Sequence, residues 1–92
     1  MRVAVKAKRI DNLETKVTER KNKIVVNYLR RKGYDCNESR NSMIKINNQL
    51  KTKGQRVILS TQNEILQKIG AYYTYEANVM VKIVDTITGK EV

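Results

Sequence analysis

The stretch Met43–Gly70, MIKINNQLKTKGQRVILSTQNEILQKIG, decides the fold, because its apolar residues admit two different periods. Met43, Ile46 and Leu50 have helical spacing, whereas Ile44, Ile46 and Leu50 share one face of a strand. The strand reading is favoured by the residues after Leu50. Lys51-Thr52-Lys53-Gly54 has the make-up of a hairpin turn, and it leads into the β-rich run Arg56-Val57-Ile58-Leu59. Thr61-Gln62-Asn63-Glu64 then has the form of a capping box. Ile65, Leu66 and Ile69 supply a short apolar arc, and Gly70 supplies a stop. The stretch is therefore expected to hold a strand, a turn, a second strand and a helix.

The flanks are read more directly. Downstream, Ala71, Tyr73, Tyr75, Ala77, Val79, Val81 and Ile83 alternate with Tyr72, Thr74, Glu76, Asn78, Met80, Lys82 and Val84. That strict period of two predicts a long strand with one covered face. Asp85 to Gly89 forms a turn and leaves a short terminal strand. Upstream, residues 34–42 (YDCNESRNS) are polar and turn-rich, so a loop is expected there. Before them, Asp11 or Asn12 caps a helix that runs to Gly33, with Ile10, Leu13, Val17, Ile24, Val25 and Tyr28 on one arc. The first ten residues alternate as a half-buried strand, Val3, Val5 and Ala7 on one side and Arg2, Ala4, Lys6 and Lys8 on the other.

The resulting order is β-α-β-β-α-β with a short C-terminal hairpin extension. It predicts one small α+β domain over residues 1–92 of the ferredoxin-like, split βαβ kind. The alternative is a winged helix, with Ser60–Ile65 and Gly70 opening a helix-turn-helix and residues 71–92 as the wing. It requires a helix over 74–86, where alternation and β-branched residues favour a strand.

Charge is unevenly placed along this order. Residues 1–53 hold 15 Lys and Arg against 5 Asp and Glu, while residues 54–92 hold 4 against 4, so the formal +10 lies entirely in the first part. A neutral part joined to a concentrated positive field suits a polyanion-binding surface. On the expected fold the outward strand residues Arg2, Lys6, Lys8, Lys45, Tyr72 and Lys82, with Arg56 as a further candidate, form one basic face with one aromatic ring. Lys16, Arg20, Lys23, Arg30 and Arg31 form a second basic stripe along the first helix.

The topology resembles that of RNA-recognition-motif proteins. Their third strand carries a glycine and aromatic motif, whereas Gln55–Ser60 (QRVILS) contains no ring. Backbone tracking is therefore expected rather than base stacking on that strand.

Other chemistries lack their residues. The chain has no His, which excludes histidine-based triads and His metal sites. The nine acids are dispersed, and phosphate-loop and dinucleotide glycine motifs are missing. No catalysis and no cofactor are expected. A single cysteine, Cys36, allows no internal disulfide and suits a reducing, cytoplasmic compartment. No apolar run approaches a signal peptide or a membrane span. The expected partner is DNA or RNA. An acidic partner protein is the alternative, since electrostatics alone does not separate the two, and an exposed edge strand leaves a homodimer open.

Overall fold

A computed structural model describes residues 1–92 throughout. The elements are β1 (Arg2–Ala7), α1 (Ile10–Arg31), α2 (Arg40–Thr52), β2 (Gln55–Ile69) and β3 (Tyr72–Asp85). The fold is α+β, with two helices and a three-stranded antiparallel sheet in the order β1-β3-β2. No helix is long and apolar enough to cross a membrane.

The expected ferredoxin-like order is thus replaced by β-α-α-β-β, and both changes fall in Met43–Gly70. Residues 43–50, expected as a strand, lie in α2. Ser39 at φ −71 and ψ 146 is its N-cap, and the Ser39 hydroxyl accepts from Ser42 N at 3.2 Å. Asn37 fixes that cap, its Oδ1 accepting from Ser39 N at 2.9 Å while Ser42 Oγ accepts from Asn37 N at 3.0 Å. The start signal therefore sits inside the polar run read as loop, with Ser at the position where a capping box would carry Glu or Gln. Burial follows the helical period: Ile46 and Leu50 are enclosed, and Ile44, which the strand reading buries, is 47% exposed. Lys51–Gly54 ends the helix instead of turning a hairpin. Gly54 takes φ +70 and donates to Lys51 O, a left-handed stop suited to glycine.

Residues 61–69, expected as a helix, are the outer part of β2. Glu64 does not close a capping box. Its carboxylate instead accepts from the Tyr75 hydroxyl at 2.8 Å. Gly70, at φ +59, and Ala71 join β2 to β3, and a two-residue connection of strands requires an antiparallel pair. The pairing offered by β3 along this length outweighs the weak helix preference of Ile65–Ile69. The winged-helix alternative loses its first helix for the same reason, and its second at Tyr72–Asp85, which is a strand.

The flanks follow their sequence periods. α1 ends at Arg31, with Gly33 just past the end as read, although Arg9 rather than Asp11 or Asn12 occupies its cap position, the Arg9 carbonyl accepting from Leu13 N at 3.0 Å. Asp11 lies in the first turn, where its charge complements the helix dipole. β3 covers the alternating run, and Val84–Glu91 bridging folds the C-terminal tail back along it.

The chain falls into two compact units. In the first, Met1–Asn22 with Ser60–Met80, β1 pairs with β3 from Arg2↔Asn78 to Ala7↔Tyr73. Val3, Ala7, Leu13, Tyr75, Ala77 and Val79 are its buried residues. In the second, Lys23–Leu59 with Val81–Val92, Val25, Val26, Leu29, Cys36, Ile46, Leu50 and Ile83 form the core. Val26 and Leu29 widen the buried arc of α1 beyond the residues its period singles out, because α2 gives this end of the helix a second face to cover. The Tyr28 hydroxyl accepts from Ile83 N at 3.1 Å, and Asp85 Oδ1 accepts from Ile87 N and Thr88 N at 2.8 and 3.0 Å to set the last turn.

Substitutions at Leu50 and Ser39 probe the packing and the capping of α2. Leu50→Ala is expected to cost about 2–5 kcal/mol in urea denaturation, the range for a fully enclosed leucine. Ser39→Ala is expected to cost about 1 kcal/mol and Ser39→Asp much less, since aspartate retains the capping oxygen. Were residues 40–52 a strand, Ser39→Ala would have no such effect.

Candidate functional site

The short link Lys8-Arg9 between β1 and α1 turns the chain back on itself, so the end of the strand and the first turns of the helix line one hollow. Lys6, Ala7 and Lys8 come from the strand end. Asn12, Thr15, Lys16 and Glu19 come from one helical face, their spacing of three and four bringing them into register. Tyr72, the first residue of β3, closes the hollow, which has a volume of about 610 Å³. All eight residues belong to the first compact unit.

Its chemistry is dominated by ammonium groups. Lys6 Nζ lies 5.0 Å and Lys8 Nζ 5.9 Å from the Tyr72 ring centroid, close enough for both to feel the negative face of the ring. Lys16 Nζ donates to Lys6 O at 3.0 Å, which holds the third ammonium at the strand edge. Glu19 is the only carboxylate in the lining, and it makes no ion pair. Across the molecule only Arg2 and Arg9 among the 19 Lys and Arg meet a carboxylate, on Glu76 and Asp11. Positive charge here is therefore available to an incoming anion rather than spent on internal pairs. Tyr72, 39% exposed, presents part of its ring to solvent.

The residues expected to act together divide. Lys6, Lys8, Lys16 and Tyr72 converge on the hollow, and Arg20 lies exposed one turn beyond Lys16 in the same unit. Lys23, Arg30, Arg31, Lys45 and Lys82 belong to the second unit. Lys45 stands exposed on α2, so the expected sheet face loses it, the cause being the helical state of residues 40–52. Lys82 is half-buried on β3. Arg30 Nε donates to Cys36 O at 2.6 Å, which gives that guanidinium a local structural task. Asn12, Thr15 and Glu19 join the lining although charge and aromaticity do not single them out. The helical period around Lys16 places them there once the strand end is known to lie alongside.

A second, apolar hollow of about 250 Å³ is lined by Ile10, Leu13, Val17, Leu66 and Tyr75, with Glu14 and Thr18 at its polar margin. Tyr75 is buried as the alternation of β3 requires. Burial, and after it the hydrogen bond and charge of Glu64, push its hydroxyl up to about 12. No three Cys, Asp or Glu side chains gather where they could hold a metal ion.

Comparison with family models, with curated proteins and with solved structures gives no match to this chain.

The raised Tyr75 ionisation has a measurable consequence. As pH rises through 10 the tyrosine of the unfolded chain loses its proton while that of the folded chain keeps it, so stability falls progressively up to about pH 12. Below pH 10 the contribution is complete. In paired urea titrations at pH 9, 10 and 11, Tyr75→Phe is expected to flatten this decline relative to the parent. Equal slopes would show that Tyr75 ionises alike in both states.

Proposed function

We propose that the protein binds nucleic acid and performs no catalysis of its own, contacting the phosphate backbone with Lys6, Lys8 and Lys16 and laying an unpaired base against Tyr72. The observation that carries this reading is the convergence of three ammonium groups, none paired with a carboxylate, beside a partly exposed aromatic ring. Lysine offers phosphate a mobile point charge with three donors, which suits contact without fixed register. A ring beside such charges suits single strands, whose bases are free to stack, more than duplexes. Arg20 extends the same field along α1, and Lys23, Arg30, Arg31, Lys45 and Lys82 add to the general attraction for a polyanion. A cytoplasmic setting, with Cys36 kept as a thiol, is consistent with this role.

Anisotropy titration with single-stranded RNA, single-stranded DNA and duplex DNA of equal length tests the proposal. Log affinity is expected to fall linearly with log salt. Replacing Lys6, Lys8 and Lys16 together by Gln is expected to reduce the single-strand slope by about 2, at roughly 0.7 for each phosphate contact. Tyr72→Ala is expected to weaken single strands by about 1–3 kcal/mol and to leave duplex binding nearly unchanged. Absence of binding to all three at low salt overturns the proposal. So does recovery of one acidic protein partner, with no nucleic acid, from an untreated cell extract.

A further inference from the structure

β2 has no strand on its outer side, because the sheet order places β3 between it and β1. Edge strands are commonly guarded by brevity, a proline, an irregularity or a charged side chain, lysine above all. β2 runs for 15 residues, the chain contains no Pro, and its one backbone irregularity, Asn63 at φ 56, precedes the outermost part. Beyond Asn63 the strand is exposed on both faces, with Ile65, Leu66 and Ile69 at 45, 59 and 60%.

The sequence of this part, Glu64-Ile65-Leu66-Gln67-Lys68, is complementary to itself. In an antiparallel pair of two copies with a two-fold axis at Leu66, Leu66 faces its own counterpart and Glu64 faces Lys68, twice. Those three side chains lie on one face. Glu64 accepts from the Tyr75 hydroxyl, Leu66 lines the apolar hollow beside Tyr75, and Lys68 Nζ lies 5.4 Å from the Tyr73 ring centroid. Directly opposed residues share a face in an antiparallel pair, so both charge pairs form beside the Leu66 contact.

Other registers lose this match. A slip of one residue sets Glu64 against Ile69 and Lys68 against Ile65. A slip of two in the same direction sets Lys68 against Leu66. Parallel pairing in register sets Glu64 against Glu64, like charges directly opposed.

We infer that the protein self-associates through the outer edge of β2, two copies forming one continuous six-stranded sheet about a two-fold axis at Leu66. The occupant of the edge is a second copy, because the charges and the apolar residue complement a strand of this same sequence run antiparallel. The inference is independent of the lysine-lined hollow, which uses no residue of β2.

Sedimentation of the full chain over a range of concentrations is expected to show a monomer–dimer equilibrium. Lys68→Glu, which opposes like charges twice, is expected to weaken dimerisation at least tenfold. The double exchange Glu64→Lys with Lys68→Glu restores the pairing and is expected to recover most of the loss. Circular dichroism of each variant confirms folding, which matters for Glu64 because of its bond to Tyr75.

Register is read separately by Leu66→Cys. Opposed Cα atoms lie about 4.5–5.5 Å apart, within reach of a disulfide, so mild oxidation is expected to cross-link this variant across the axis. Ile69→Cys, about 20 Å from its own counterpart at 3.4 Å per residue, is expected to stay monomeric on a reducing-agent-free gel, as is the parent with its buried Cys36. A parent chain monomeric at millimolar concentration overturns the inference. A folded double exchange that remains monomeric, or an Ile69→Cys variant that cross-links faster than Leu66→Cys, does so equally.

Discussion

Everything in this fold answers to the hydrogen-bonding demand of β3. A 14-residue strand in the middle of a sheet presents N–H and C=O groups on two sides, and each one left dry and unpaired costs on the order of 1–3 kcal/mol. β1 meets the demand on one side only from Tyr73 to Asn78. The Met1 backbone continues it by one step, its amine donating to Val79 O and its carbonyl accepting from Val79 N. The other side needs a partner of comparable length. β2 supplies it with 15 residues, and this requirement draws Thr61–Ile69 out of the helical state that its local sequence suggests.

The same demand explains which parts of the structure were legible from residue order. α1 and β3 are long, and each carries its period many times over, so the accidental placement of one residue does not disturb the reading. Met43–Leu50 is short enough for three apolar residues to satisfy both periods. The residue that breaks the tie is Ser39, whose capping bond lies four positions upstream in a run with the composition of a loop. Thr61–Glu64 is the opposite case, a local start signal overruled at a distance, since the Glu64 carboxylate meets the Tyr75 hydroxyl eleven residues on. Local propensities amount to tenths of a kcal/mol per residue, and a cooperative ladder of strand pairs exceeds them.

The site was legible in proportion to its dependence on these elements. Lys6, Lys8, Lys16 and Tyr72 come from segments whose state is plain in their periods, and the structure gathers them. The strand reading of residues 43–50 puts Lys45 on a sheet face, but the segment is helical and Lys45 stands on α2. The charge asymmetry between residues 1–53 and 54–92 survives in a different form. Its weight lies less in the count of cations than in how few of them find a carboxylate. An ammonium already paired would offer an anion little, so the scarcity of internal pairs keeps the field outside the molecule.

Tyr28 carries a wider implication than its single bond suggests. Its hydroxyl accepts the Ile83 N–H, and Val92 N donates to the Ile83 carbonyl, so both backbone groups of that residue are occupied by something other than a strand. On β1, the Lys16 ammonium similarly occupies the Lys6 carbonyl. Side chains and the chain's own tail thus plug places where a further strand would dock. The outer side of β2 has no such plug. A sheet that can grow at both ends propagates into a fibre, whereas one that can grow at a single end joins one copy of itself and stops. The Tyr28 hydroxyl and the Lys16 ammonium each occupy one backbone group that a further strand would need, on β3 and on β1.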